Sequence, residues 1–430
     1  MSAKFLVALA AMLCAVSPAF SQTQSDDVVR ITTNLVQVDV VVTRKGKPVK
    51  DLKAEDFEIF EDGKLQTITS FAYVSNLPNN AGVSATQATT SGEDKDPNTR
   101  ADPNGPSDPN SPPPIATDTS RRRIAFVVDD YGLTAHSMAA IKRQLRKFID
   151  EKLKPNDLIA IIRTSRARRE QLQLTSDRSR IEQALEQVQF NQCSRVGVKP
   201  IPSIGDQASV GCGGVSSFDE SISSIRTIVT ALGHVAGRKT MVIFSDDTPL
   251  RENEILAKGS SSVLTAAGGS TSEDSRNYRA PLNRLSEIAI RSSVVIYGID
   301  ASGLQVTSPT AADANPRAMV SGSNGNGVFT GRLRGRSNLL LMRREGANAI
   351  AKATGGFLVH DQNEFQLDKI LDEQDGYYLI GYRPNTETFN KQFHKLKARV
   401  KKDGFEVRTR SGFVGMSEED AKQLKQAPKQ

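Results

Sequence analysis

The chain of 430 residues contains no tryptophan, only three cysteines and only four histidines. The HExxH spacing of a zinc-dependent hydrolase is absent at all of the histidines, which are His136, His234, His360 and His394. The sequence also has no GxSxG nucleophile motif and no phosphate-binding P-loop. These absences predict a protein without enzymatic activity.

Aromatic residues make up only 6% of the chain, although its formal net charge is +7. Basic proteins that bind nucleic acid usually combine a stripe of lysine and arginine with interleaved aromatics. Here the basic residues are spread along the chain, with short clusters at 121–123, 166–169 and 332–336. This distribution predicts a solvated basic surface and no nucleic-acid partner.

The N-terminus has the parts of a secretory signal peptide. Lys4 supplies a positive charge, residues 5–16 form an apolar run, and Ser21 ends a small-residue cleavage site. The apolar run is shorter than the roughly 20 residues of a membrane-spanning helix, which favours cleavage over a membrane anchor. We expect removal of residues 1–21, no transmembrane segment afterwards, and export to the periplasm, the cell surface or the medium.

Composition and pattern divide the remaining chain into distinct parts. The segment 76–120 is rich in Pro, Asn, Ser, Thr, Asp and Gly and can bury little apolar surface, which predicts a disordered linker. The predicted parts are an N-terminal β domain at 28–75, this linker at 76–120, an α/β domain at 121–374, a C-terminal β segment at 375–415 that packs with the N-terminal domain, and a tail at 416–430.

The two terminal parts carry β-strand signals. Valines alternate with other residues over 36–42, which is the pattern of a half-buried strand. Asp62-Gly63 lies between two apolar runs and predicts a hairpin, because glycine tolerates the positive φ of a type I′ turn. Asp403-Gly404 predicts a second hairpin in the C-terminal segment. Together these parts predict a small β-sandwich-like domain.

Between the two β segments, short apolar runs alternate with amphipathic helical patterns. Residues 124–128 and 239–245 read as buried parallel strands, and residues 218–232 carry apolar side chains at helical spacing. Such alternation predicts a doubly wound, mostly parallel sheet with helices on both faces.

Acidic residues follow two of these predicted strands. Asp129-Asp130 follows the first strand, and Asp246-Asp247 follows the strand at 239–245. Ligands of open α/β sheets bind at the carboxyl ends of the strands. Paired carboxylates at such a position suit a hard divalent cation, Mg²⁺ or Ca²⁺. Solvated loop acids and helix caps are the alternative interpretation.

The order of elements resembles a von Willebrand factor A domain. In that family, a metal-ion-dependent adhesion site uses an Asp-x-Ser-x-Ser run after the first strand, a later threonine and an aspartate after the fourth strand. The resemblance implies that Asp129 and Asp246 are metal ligands, with Ser216 or Ser217 in place of the threonine.

The site is degenerate, because Tyr131 and Leu133 occupy the two serine positions. Thr134 or Ser137 would substitute only with altered spacing. We therefore expect weak Mg²⁺ or Ca²⁺ affinity, about millimolar at best. Binding of a ligand is expected to be largely independent of metal.

The sequences on either side of the α/β part indicate a more specific family. Resemblance to the VWFA-related Acidobacterial domain family lies in residues 46–52 and 55–63 before that part and in residues 375–382 and 408–413 after it. The resemblance covers nearly the whole chain after the predicted signal peptide. It implies export and an A-like domain, and it implies no established biochemical activity.

Together the patterns favour an exported, non-enzymatic module for protein binding or adhesion. Its expected partner is a protein or another extracellular or envelope ligand. A structural component that organises a cell-envelope complex is the alternative. A hydrolase that uses a divalent metal at Asp129 and Asp246 is the least favoured reading.

The cysteines that remain after signal cleavage, Cys193 and Cys212, lie in one insertion of the α/β part. An even number of cysteines in an exported protein indicates a disulfide, which here would close a loop of about 20 residues and contribute about 3 kcal/mol. We predict that thiol labelling of the denatured, unreduced protein finds no free thiol. Two labelled cysteines would contradict the disulfide.

Overall fold

The computed structural model describes much of the chain after the predicted signal peptide. The predicted signal peptide, the predicted tail, Ser216, Cys212 and all of the predicted linker except 84–85 lie outside the described residues. The described ranges are 35–75, 84–85, 121–170, 172–194, 217–248, 279–303, 341, 344–360, 367–384 and 390–415.

Strands and helices alternate in the middle of the chain, whereas the described residues towards its two ends form only strands and one short 3-10 turn. The strands are β1 (Val36–Arg44), β2 (Lys47–Pro48), β3 (Phe57–Glu61), β4 (Lys64–Gln66), β5 (Ile68–Ser75), β6 (Ser84–Ala85), β7 (Arg123–Val128), β8 (Leu158–Arg163), β9 (Lys239–Ser245), β10 (Val294–Asp300), β11 (Leu358–Val359), β12 (Gly376–Tyr382), β13 (Phe393–Val400), β14 (Glu406–Arg408) and β15 (Gly412–Val414). The helices are α1 (Ala135–Glu151), α2 (Arg178–Glu186), α3 (Ser217–Gly233), α4 (Arg279–Arg291), α5 (described over 344–354) and α6 (Leu367–Gln374).

The middle of the chain forms a five-stranded parallel sheet in the order β11-β10-β9-β7-β8. Every residue of β7, β9 and β10 is buried. Such full burial explains why these strands read as continuous apolar runs and not as alternating ones. The predicted bounds of the strands agree with the structure to within one or two residues.

Helices cover both faces of this sheet. Ile124, Phe126 and Val128 of β7 pack in a core with apolar residues of α1, α2 and α6. Ala125 and Val127, which alternate with them, pack in a second core with residues of α3, α4 and α5. Alternate residues of β7 therefore pack against the apolar faces of helices on opposite sides of the sheet.

The two ends of the chain form antiparallel sheets that share one core. One sheet has the order β14-β1-β12-β5-β6, with β2 on β1, and the other has the order β15-β13-β3-β4. Strand β12 lies between β1 and β5, so the C-terminal segment pairs directly with the N-terminal one. Alternate residues of β1, including Val38 and Val40, meet Ile59, Tyr378 and Leu396 in the core between the sheets.

The hairpin predicted at Asp62-Gly63 is confirmed. Asp62 and Gly63 have φ values of 48° and 82°, and β3 pairs with β4 on either side of them. Positive φ at both central positions is the signature of a type I′ turn.

The hairpin predicted at Asp403-Gly404 is wrong. Strand β13 pairs with β3 and β15, whereas β14, which follows the turn, pairs with β1 in the other antiparallel sheet. Phe405 and Val407 pack against the core between the sheets. Because these two side chains pack against the core, the chain crosses from one antiparallel sheet to the other at this turn. The strands before and after the turn therefore do not pair.

Ionic contacts join the first and last residues of the α/β part. The buried Arg122 guanidinium donates from Nε to Asp157 Oδ1 at 2.8 Å and from Nη2 to the Lys152 carbonyl at 3.0 Å. Lys154 Nζ lies 2.6 Å from Asp375 Oδ1, and Arg122 Nη1 lies 3.9 Å from the same oxygen. The points where the chain enters and leaves the α/β part are therefore held next to each other.

We predict that Ile380→Ala destabilises both flanking strands of β12. Ile380 is fully buried and pairs with Val38 and Phe71, so truncation should cost about 2–5 kcal/mol and reduce amide protection in both β1 and β5. Urea unfolding and hydrogen exchange measure the two effects. Leu65→Ala, at a side chain that is 57% exposed, is the control and should change stability by less than about 0.5 kcal/mol. Unchanged protection in β1 and β5 would show that β12 does not hold these strands.

Candidate functional site

Aspartates lie at the carboxyl ends of three neighbouring parallel strands. Asp129 follows β7, Asp246 follows β9, and Asp300 ends β10, and all three are buried. The chain places β8 on one side of β7 and β9 on the other. The sheet therefore has its topological switch point between β7 and β9, where open α/β sheets form their ligand-binding crevice.

Hydroxyl groups surround the Asp129 carboxylate. Thr164 Oγ1 donates to Asp129 Oδ1 at 3.1 Å, and Ser245 Oγ donates to Oδ2 at 2.8 Å. Ser221, on α3, also donates its hydroxyl to Oδ1. A hydroxyl that donates to a carboxylate keeps its lone pairs for another acceptor role, so this shell is compatible with a cation.

Asp246 is held differently, with one oxygen satisfied and the other not. Oδ2 accepts hydrogen bonds from Ser137 Oγ at 2.6 Å and from the Thr134 backbone N–H at 3.0 Å. Among the described residues, Oδ1 is buried and has no hydrogen-bond partner. Burial, followed by the nearby charge of Asp300, raises the pKa of Asp246 to about 6. The unpartnered oxygen is a position at which a cation or a ligand N–H would be stabilised.

Asp130 and Asp300 have internal partners instead. Asp130 shares the Thr164 hydroxyl with Asp129, at 2.8 Å from Thr164 Oγ1, and accepts from the Ser165 N–H at 2.9 Å. Burial raises the pKa of Asp130. Asp300 accepts from the Ser302 N–H at 3.0 Å and from Arg344 Nε at 2.5 Å. These carboxylates fix the loops that follow β7 and β10.

The structure brings together only some of the residues expected from the sequence. Ser137 reaches Asp246 in spite of its altered spacing, because the loop after β7 runs on until Thr134 caps the first turn of α1. Leu133 is fully buried in the core with α1. Ser217 is the first residue of α3. Ser216 lies outside the described residues, so its role as a metal ligand stays a prediction.

Sequence reasoning missed two of the hydroxyls on Asp129. Thr164 directly follows β8, and Ser221 lies four residues beyond the expected serine at position 217. One further turn of a helix returns a residue to the same face, so Ser221 presents its hydroxyl where Ser217 was expected. The helical spacing of this segment was therefore the signal from which Ser221 could have been predicted.

Asp129, Asp246 and the hydroxyls that contact them form the donor set that Mg²⁺ and Ca²⁺ prefer, which is carboxylate and hydroxyl oxygen. The unpartnered Asp246 Oδ1 and the Ser137 hydroxyl are the atoms that fit such an ion best. The residues present are therefore compatible with a hard divalent cation.

A second cluster of possible ligands lies on the antiparallel sheets. His394 Nδ1 lies 2.9 Å from Asp62 Oδ2 and 3.5 Å from Glu61 Oε1, and the ring stacks on Phe413. These ligand atoms lie within 4.8 Å of one another. The contacts among the three side chains, together with the 2.7 Å hydrogen bond from Tyr382 to Glu61, also serve to join β3, β12 and β13.

Cys193 is disulfide-bonded. Its predicted partner, Cys212, lies outside the described residues, so the pairing of the two stays a prediction.

Comparison of the chain with protein-family models and with curated proteins finds no match in either set. Within the described residues, no helix combines the length and the apolar character needed to cross a membrane.

We predict that Asp246→Asn increases stability at neutral pH in the absence of divalent metal. The folded pKa of about 6 lies above the ordinary 3.8, so between about pH 4 and 6 the folded state binds more protons than the unfolded state. Stability must then fall as the pH rises through this window, by on the order of 3 kcal/mol. Denaturant unfolding between pH 4 and 7 should show this fall in the wild type and a flatter profile in the variant.

The control for this prediction is Asp403→Asn, which changes the same charge at an exposed turn and should leave the pH profile as it is. An equally steep fall in Asp246→Asn would assign the pH dependence to other groups.

Proposed function

We propose that this protein is an exported binding module whose von Willebrand factor A-like part recognises a protein or envelope ligand in the crevice between Asp129 and Asp246. The observation that carries the proposal is the unpartnered, buried Oδ1 of Asp246 at the switch point of the parallel sheet. A buried carboxylate oxygen without a partner is costly, so its retention at a ligand-binding position supports a role in binding.

The strand order supports an A-like, doubly wound reading of the α/β part. The order β11-β10-β9-β7-β8 places β7, the first strand of this part, between the later strands β8 and β9. Helices packed against both faces agree with the same architecture. In such folds the loops at the carboxyl ends of the strands contact the ligand.

A divalent cation fits this function as a bridge. When bound, Mg²⁺ or Ca²⁺ would neutralise Asp246 and attract an acidic group of the partner. Asp246 and the Ser137 hydroxyl would hold the ion, while Thr164, Ser221 and Ser245 orient Asp129. Hydroxyl bonds already satisfy Asp129, so the ion gains little from that carboxylate and its affinity is on the order of millimolar.

Capture from an envelope extract tests the proposal. We expect the immobilised wild-type chain to retain a ligand that Asp246→Ala and Asp129→Ala both lose, because both variants remove anionic oxygen from the crevice. Asp403→Ala, at an exposed turn, is the control and should retain the ligand.

Retention that is equal in all three variants would place the binding surface elsewhere and would contradict the proposed crevice. A single stoichiometric envelope partner among the retained proteins would favour the alternative role, assembly of a cell-envelope complex. Repeating the capture with a chelator separates a metal-bridged ligand, which is lost, from one that contacts Asp246 directly.

A further inference from the structure

A cavity rich in arginine lies at the other end of the parallel sheet. It is lined by the start of β10, the segment before β9, strand β1 and residues 408–410. Arg238 directly precedes β9 and Asp246 directly follows it, so the seven residues of β9 separate the cavity from the acidic crevice by about 23 Å. We call this site the arginine cavity, and its charged lining residues are Asp39, Arg238, Arg408 and Arg410.

The Arg238 side chain is buried in this cavity, and no carboxylate among the described residues accepts a hydrogen bond from its Nε or Nη1. Its side chain is 6% exposed, and the guanidinium lies over the Tyr377 ring at 4.8 Å from the centroid. The Asp39 carboxylate is 3.9 Å from Nε, beyond hydrogen-bond distance. Both Nε and Nη1 are buried and have no hydrogen-bond partner among the described residues.

The segment 408–410 contributes further donors of the same kind. Arg410 donates from Nη2 to the Gln37 carbonyl at 2.7 Å, but its Nε is buried without a partner. Arg408 contacts Glu373 through Nη2, and its Nε is also buried without a partner. The Thr409 hydroxyl between them has none either. Five buried polar atoms from four lining residues can therefore donate, and none does so among the described residues.

The charges on the cavity lining do not balance. Three guanidinium groups line the cavity, and Asp39 is the one carboxylate among the described lining residues. Glu373 and the exposed Glu406 contact Arg408 from outside this lining. Burial lowers the pKa of Arg408 and of Arg410. Burial and then the charge of Arg123 lower the pKa of Lys239, beside Arg238, to about 8. Burial is the largest cause of all three shifts, and the charge of Arg238 also lowers the pKa of Arg408.

We propose that the arginine cavity binds a small oxyanion, phosphate or sulfate. Guanidinium groups present N–H donors in a planar fork that matches the oxygens of these ions, and several donors can share one tetrahedral anion. The cavity volume of about 70 Å³ has room for such an ion and is well below the 300–1,000 Å³ of pockets for larger molecules. The anion supplies acceptors to the four donor residues and removes the excess charge.

A bound oxyanion also joins parts of the chain that are distant in sequence. Arg238 belongs to the α/β part, whereas Arg408 and Arg410 belong to the C-terminal segment that completes the antiparallel sheets. Binding to the folded state alone raises the unfolding temperature in proportion to the logarithm of ligand concentration. The site therefore couples anion concentration to the stability of the whole fold. This proposal is independent of the function of the acidic crevice.

Titration of inorganic phosphate and of sulfate into the purified chain, at constant ionic strength set with chloride, tests the proposal. Calorimetry should show saturable binding, and thermal unfolding should shift upward with each anion. Arg238→Gln and Arg410→Gln should each weaken binding by about tenfold or more. Arg399→Gln removes the same charge at an exposed position on β13 and should bind like the wild type.

Asp39→Asn distinguishes loss of the anion site from loss of the fold. Removing this carboxylate eliminates the negative charge that competes with the anion, so binding should tighten by about threefold or more. Misfolding does not produce such a gain. The proposal is overturned if phosphate and sulfate give no saturable binding beyond the chloride control, which would mean that water fills the cavity. Unchanged affinity in Arg238→Gln, or unchanged or weaker affinity in Asp39→Asn, would overturn it equally.

Discussion

The position of β12 between β1 and β5 is the constraint on which the rest of the structure depends. Its two sets of backbone hydrogen bonds bring the C-terminal segment to the N-terminal strands and close the core between the antiparallel sheets. The α/β part is thereby inserted between paired strands. The contacts of Arg122 with Asp157 and Asp375 then hold the ends of the insertion together. The arginine cavity is a product of the same closure, because its walls come from both sides of the insertion point.

Buried side chains of opposite charge lie at the two ends of the parallel sheet. At the carboxyl end, buried aspartates are stabilised by hydroxyl donors, and Asp246 keeps an oxygen without a described partner. At the amino end, buried arginines keep donors without described acceptors. Buried polar groups in native proteins are normally satisfied, so the exceptions at these two ends are the basis of the two binding proposals.

Much of the fold could be predicted because it depends on local pattern. Continuous apolar runs located β7 and β9, and Asp62-Gly63 located a type I′ turn from backbone requirements alone. Asp129 and Asp246 could be brought together because parallel strand ends share one edge of a sheet. The Asp403-Gly404 turn was misjudged because tertiary burial decided which strands pair. The arginine cavity has no local signature, since Arg238 and Arg410 become neighbours only when strands distant in sequence pair.

The place of β12 in the sheet also governs how the chain can fold during synthesis. About 300 residues separate β5 from the strand that pairs with it and with β1. At roughly 5–20 residues per second, the ribosome needs about 15–60 s to complete that interval. Throughout this time the first strands have emerged with open edges that are prone to intermolecular pairing. The N-terminal strands therefore cannot complete their sheet until translation reaches the C-terminal segment.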